Sequence, residues 1–227
     1  MDRINESLRR VPPRTVYLLG LVLLFWLVWQ VASGRVGPDP VREVEYRLGL
    51  LGLQFVVAGL CVTPLRWLGL NLLRYRRAIG LVAFNFVALH LLTWGVVDRG
   101  LRWSEIGADL TKRPYIIVGM IGFLTLLPLA ITSNNTSIRR LGALTWGRLH
   151  KLVYVAAVAG AVHFVMVGKV WTAESLFYAA AVVVLLGARV ARAYTGARRP
   201  PRTPAHATRL PDETRSCGVQ CVKPKIL

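Results

Sequence analysis

Long apolar runs alternate with short polar ones between residues 15 and 192 of the chain. Six runs stand out, at about 15–33, 48–68, 78–97, 114–132, 150–169 and 174–192. Each reaches or approaches the ~17–25 residues a helix needs to cross a hydrocarbon core of roughly 30 Å. Backbone amides in lipid must find partners within the chain, and runs of this length do so as helices rather than as barrel strands. The pattern therefore predicts an all-α, six-helix integral membrane bundle. Residues 1–14 read as a polar N-terminal segment and 15–192 as the membrane domain. Residues 193–227 read as a basic tail, rich in Pro and Arg and expected to be disordered.

The interruptions sharpen this picture. The stretch 34–47 reads as a loop, with turn chemistry in Gly37-Pro38-Asp39-Pro40. Pro64 is expected to kink or end the second helix, and Pro114 to start the fourth. Residues 98–113 are amphipathic around LRWSEIGADL and suit a membrane surface. The stretch TSNNTSIRRLGALTWGRLHK reads as a loop between the fourth and fifth runs. Gly49, Gly52 and Gly59 permit close helix approach, and Asn85, inside the third run, needs a partner within the bundle. The first run, with its basic flank and Ala32-Ser33-Gly34, also fits a cleaved leader. Its length exceeds the usual leader core and favours an uncleaved first helix.

A net charge of +18 suggests nucleic acid until the charges are placed. Arg3, Arg9, Arg10 and Arg14 precede the first run; Arg66, Arg74, Arg76 and Arg77 follow the second. Arg139, Arg140, Arg148 and Lys151 follow the fourth, and Arg189, Arg192, Arg198 and Arg199 close the sixth. These are alternate connections, so the positive-inside rule puts both termini in the cytoplasm. The opposite connections mix both signs. No basic face remains to bind nucleic acid once topology is accounted for. Cys61 reads as a small core residue. Cys217 and Cys221 are spaced too widely for a redox pair and have no second metal-ligand pair.

The chemistry-bearing residues are histidines. His90 lies thirteen residues after Arg77, and His163 twelve after Lys151, on helices that run the same way. Two imidazoles at matched depth can ligate one haem iron from both sides, and Ala156, Ala157, Ala159, Gly160 and Ala161 leave room for a flat cofactor. The plainer reading makes each a hydrogen-bonded core histidine. His150 sits at the membrane boundary, rotated by roughly 140° from His163 on an ideal helix. Arginines surround that boundary. Their forks suit the phosphate of FMN or of an anionic membrane lipid, although positive-inside charge alone also accounts for them.

The runs RYRRAIG…HLLTW, LTKRPYIIVGMIGFLTLLPLAITS and LGALTWGRLHKLVY…HF resemble a known family over about residues 15–192. It is the MsrQ (YedZ) family, the haem-binding membrane subunits of the bacterial periplasmic protein-methionine-sulfoxide reductase system, within the ferric-reductase-like transmembrane group. The resemblance implies a multi-pass protein of the bacterial inner membrane carrying haem b. It implies electrons taken from the quinone pool or a cytoplasmic flavin donor and passed to a periplasmic molybdopterin-containing methionine sulfoxide reductase, its partner in a heterodimer. It also makes His90 and His163 the axial ligands and His150 the family's additional histidine. FMN or quinol is then expected near His150, Arg76, Arg77 and Arg148. The wider group has a further histidine where this chain reads Arg74-Tyr75-Arg76-Arg77, which speaks against a second bis-histidine haem. Two rivals stand beside this reading: a ferric-reductase-type enzyme with another acceptor, and a proton-coupled transporter with histidine relays. No Asp or Glu lies mid-span and no inverted repeat is apparent, which weighs against the transporter.

Overall fold

In the computed structural model, which describes residues 2–168 and 170–197, every regular element is helical. In chain order these are α1 (Asp2–Arg10), α2 (Arg14–Ala32), α3 (Pro40–Trp67), α4 (Arg76–Leu92), α5 (Trp103–Lys112), α6 (Pro114–Ile131), α7 (Asn135–Leu149), α8 (Leu152–Val167) and α9 (Ala173–Ala197). A 3₁₀ turn at Leu73–Tyr75 leads into α4, and α4 continues as a π-helix over Thr93–Asp98. Five segments are long and apolar enough to span a membrane: α2, α3, α4 with its flanking turns, α6 and α9. Helices α7 and α8 meet at a 42° bend and supply a sixth span if taken together. The chain is a multi-pass membrane protein. Phe25, Trp26, Val28 and Trp29 of α2 stand exposed, as residues facing lipid must.

Two expected loops are helical. Residues 40–47 open α3, because Asp39 caps Arg42 N–H at 3.1 Å and Pro40 takes the first helical position, where its missing N–H costs nothing. At 28 residues α3 is about 42 Å long at ~1.5 Å per residue, longer than the hydrocarbon core, so its first turns stand clear of it. Most of the stretch expected to link the fourth and fifth runs is α7. Asn134 caps it by accepting Ser137 N–H at 2.7 Å, and Gly142 breaks it with φ +73°. Asn85 is exposed rather than turned into the bundle. Helix α9 runs on to Ala197, into the tail expected to be disordered from 193, and the rest of the tail, with His206, Cys217 and Cys221, lies outside the described residues.

The core lies where α3, α4, α6, α8 and α9 converge. Val56 and Leu60 of α3 meet Ala83 of α4, Leu126 and Leu129 of α6, Ala156, Ala157 and Ala161 of α8, and Val182 of α9. A second cluster of Leu27, Leu48, Val82 and Phe86 seats α2 against α3 and α4. Small side chains in α8 let the helices close up; Ala157 has no exposed surface at all. The N-terminal segment is also tied down. Asn5 donates to Gly69 C=O at 2.8 Å and accepts from Asn71 N–H at 3.1 Å, while the buried Tyr75 hydroxyl donates to Leu8 C=O at 2.7 Å.

Helix α9 is held to α3 by polar contacts at three depths. Tyr46 donates to Glu174 at 2.8 Å and Gln54 to the Tyr178 hydroxyl at 2.8 Å. Near the far end of α3, Arg189 donates to the carbonyl of Leu60 and lies 5.7 Å from the Tyr154 ring centre. The reason is in the sequence four residues on. Pro64 sits inside α3 and has no N–H, so it cannot complete the helical bond to Leu60 C=O. Arg189 takes that place. Arg189→Ala should therefore cost about 1–3 kcal/mol by leaving a carbonyl unpartnered within the bundle. In a Pro64→Ala background, where the helix closes its own bond, the same substitution should cost markedly less. Unfolding of the four proteins in detergent measures this; equal costs in both backgrounds would break the link between Pro64 and Arg189.

Candidate functional site

Two helix pairs, α3 with α4 and α6 with α8, face each other across a cavity of about 980 Å³. Its walls are mostly apolar, with Leu53 and Val56 on one side and Phe123 and Leu126 on the other. His90 and His163 both line it. Their ring centres are 6.2 Å apart and their planes cross at 78°. The depth matching expected from sequence is met: one histidine lies near the end of α4, the other near the end of α8, and the fold brings the two rings together edge-on.

Each ring is tied at one nitrogen. His90 Nδ1 lies 2.8 Å from Glu45 C=O, and His163 Nδ1 lies 2.7 Å from Tyr115 C=O. A carbonyl only accepts, so Nδ1 carries the proton in both rings and Nε2 keeps its lone pair. Metal-bound histidines are arranged in this way, with the second nitrogen donating to a backbone carbonyl. Separation fits as well. A metal–imidazole bond is about 2 Å and a ring nitrogen lies about 1 Å from its ring centre, so two imidazoles sharing one metal place their centres roughly 6 Å apart. Among the described residues no three His, Cys, Asp or Glu side chains gather to hold a bare ion. Two imidazoles in a large apolar cavity suit a metal that brings its own equatorial donors, as haem iron does.

The cavity mouth is charged. Directly after His90 the π-helix turns Trp94 and Asp98 to the cavity, and Gly100 and Leu101, both at φ +56°, reverse the chain into α5. Arg99 pairs with Asp98 at 3.1 Å and with Asp109 at 2.9 Å; Arg113 pairs with Asp109 at 3.3 Å. A hydrogen bond from Arg113 to the Tyr115 hydroxyl, with Asp109 close by, holds its guanidinium charged beyond the usual range. Asp109 is buried between the two arginines and clamps α5 over the rim.

At the opposite, basic face stands His150, where α7 gives way to α8. Its ring stacks on Trp146 with centres 3.8 Å apart, and its Nδ1 lies 3.1 Å from Trp146 C=O. Its Nε2 is buried without a partner. The sequence-expected arginines divide here. Arg76 lies within electrostatic range of both His150 and Arg189. Arg77 instead donates to Asn135 at 3.0 Å, and Arg148 is exposed. Sequence reading missed Arg189, counted there only as a topological charge, and the stacking partner Trp146. It also missed the acceptors Glu45 and Tyr115, which act through backbone atoms. A faint signal for those two existed: a glycine follows each at four residues and again at seven, Gly49 and Gly52 in α3, Gly119 and Gly122 in α6.

Asp109→Ala should loosen the rim by about 1–3 kcal/mol, since it leaves two arginines facing each other across a partly exposed site. Amide hydrogen exchange across 98–116 is expected to quicken while α3 and α8 keep their protection. Unchanged exchange there would mean the ion pairs do not hold the mouth.

Comparison with known proteins points the same way. Residues 45–161 match the family described as ferric reductase like transmembrane component, a stretch that includes His90 and His150 and stops just short of His163. The chain is 48% identical over 190 residues to the protein-methionine-sulfoxide reductase heme-binding subunit MsrQ of Brucella ovis, covering 83% of this chain and 86% of that protein. The proteins of the same name from Brucella canis and Brucella suis match to the same extent.

Proposed function

This chain belongs to the ferric reductase like transmembrane family, among its MsrQ haem-binding subunits, and on that premise we propose that it is an electron conduit of the bacterial inner membrane. Electrons would enter at the basic face and leave for a periplasmic molybdenum-containing methionine sulfoxide reductase, and His90 and His163 would hold a b-type haem between the two. The observation that carries this reading is the imidazole pair: two rings 6.2 Å apart, each with Nδ1 tied to a carbonyl, in a cavity large enough for a flat ligand. When bound, haem supplies a one-electron couple whose potential follows its axial ligands and its burial. The chain's part is to present both Nε2 lone pairs, exclude water with the apolar wall and close the rim through Asp109.

At the basic face His150 offers a buried lone pair, with Arg76 nearby. A quinol hydroxyl suits it: the O–H can donate to Nε2, which then takes the proton as the electron departs. The phosphate of FMN suits Arg76, Arg77 and Arg148 better than it suits His150. Quinol is therefore the donor we assign to His150, with the flavin as the alternative guest of the arginines.

The test is a dithionite-reduced minus oxidised spectrum of the purified protein. A b-type α-band is expected in the wild type and should vanish in both His90→Ala and His163→Ala. His150→Ala should keep the band but slow its reduction by a quinol at least about tenfold, equivalent to ~1.4 kcal/mol of barrier. A wild type that takes up no haem under full haem supply would sink the conduit reading. Loss of the band in His150→Ala alone would move the iron to the basic face.

A further inference from the structure

The two histidines are seated by the same device, used twice. In α3 the acceptor is the carbonyl of Glu45 and the residue four further on is Gly49; in α6 the acceptor is the carbonyl of Tyr115 and the residue four further on is Gly119. The spacing has a steric cause. A helical Cβ leans toward the N-terminus, so the side chain at the fourth residue lies over the turn whose carbonyl points at it. Anything larger than hydrogen there stands between that carbonyl and a ring from a neighbouring helix. The distances show how tight the fit is. A Cβ on Gly119 would fall 2.8 Å from His163 Nδ1 and 2.9 Å from its Cε1; one on Gly49 would fall 3.0 Å and 3.1 Å from the same atoms of His90. In both cases the added atom would meet the ring edge that carries the carbonyl-bound nitrogen.

We propose that Gly49 and Gly119 are positioning residues, which let each imidazole lie against a helix backbone, donate Nδ1–H to the carbonyl and turn Nε2 into the cavity. The two sites form a matched pair: the acceptor comes from near the start of one helix, the histidine from near the end of its partner, and both pairs run the same way. A carbonyl pulling on Nδ1–H makes the imidazole a stronger donor at Nε2 and stabilises the more highly charged state of a metal bound there. Loss of either bond should then raise the reduction potential of that metal. Gly119 has the closer contact, so its effect should be the larger.

The inference rests on the haem reading for its redox consequence but not for its geometry, and the experiment separates the two. Gly49→Ala, Gly119→Ala and, as control, Gly80→Ala are compared with the wild type; Gly80 is a glycine of α4 with open space where its Cβ would be. Haem midpoint potentials are measured by optical titration. Independently, ¹⁵N-histidine spectra of haem-free protein report which ring nitrogen carries the proton. More positive potentials in Gly49→Ala and Gly119→Ala, with Gly80→Ala unchanged, are expected. Loss of haem from those two variants, with helicity and melting kept at the level of Gly80→Ala, supports the same role. Wild-type potentials in both folded variants would overturn it. So would wild-type haem-free protein carrying the proton on Nε2 of His90 and His163. A wild type without haem would remove the conduit reading and leave the tautomer spectra to decide the positioning role.

Discussion

A backbone carbonyl that accepts a hydrogen bond from an imidazole of another helix is the contact on which the rest of this structure turns. Helical carbonyls are ordinarily spent within their own helix. Here Glu45 and Tyr115, near the starts of α3 and α6, also serve a neighbour's histidine at 2.8 and 2.7 Å. Each such bond does three things together. It satisfies a polar ring where no water is available, fixes which nitrogen keeps its lone pair, and sets the approach of two helices at the level of the cavity. An ordinary core histidine needs only the first. Two histidines tied in this way and lining one mostly apolar cavity go beyond that need.

The same constraint explains the far end of α3. Proline within a span frees a carbonyl, and lipid offers nothing to receive it. Arg189 does, reaching from α9 while its guanidinium rests near the Tyr154 ring. With the Gln54–Tyr178 bond at mid-depth and Tyr46–Glu174 at the other end, α9 is fixed to α3 along its length. These ties matter to the site because α3 supplies both the Glu45 carbonyl and one wall of the cavity. An arginine that looks topological in the sequence is thereby part of the scaffold that holds the helix pair in register.

What was legible in the sequence follows from which signals are local. Hydropathy runs of span length located the five helices long and apolar enough to cross a membrane, and the α8 part of the bent α7–α8 pair, since each is apolar along its own length. Counting residues from Arg77 and Lys151 placed His90 and His163 at one depth, because helical rise is constant. The helical start at Asp39-Pro40 was present as a cap followed by proline, yet the same dipeptide belongs to turns, and composition alone could not choose. Helix α7 is polar and interrupted at Gly142, so periodicity gave it no signature. The acceptors of the histidine bonds are main-chain atoms, which carry no residue code. Only the glycine four residues on leaves a trace, and that trace acquires meaning once the ring lying against it is known. Arg189 could not be separated from its basic neighbours until Leu60 and Pro64 were seen beside it.

The contrast between His150 and the facing pair gives the molecule a direction. All three rings have Nδ1 next to a carbonyl, but His150 finds its own within α7, at Trp146. Trp146 also covers one face of its ring, and among the described residues no second imidazole makes a ring contact with it. Its lone pair can therefore take one guest, not half of a shared metal. The charge nearby selects that guest further: Arg76 raises the cost of bringing a cation and favours a neutral or anionic one. At the opposite end, the ring centres of His90 and His163 stand 6.2 Å apart against mostly apolar walls, an arrangement that suits a metal held in a flat organic ring. On the function proposed above, the basic face would take a hydroxyl or an anion and the other end a ligated metal, the two ends that transmembrane electron transfer requires. The two ends differ in what stands beside the histidine: an indole ring at one, a second imidazole at the other.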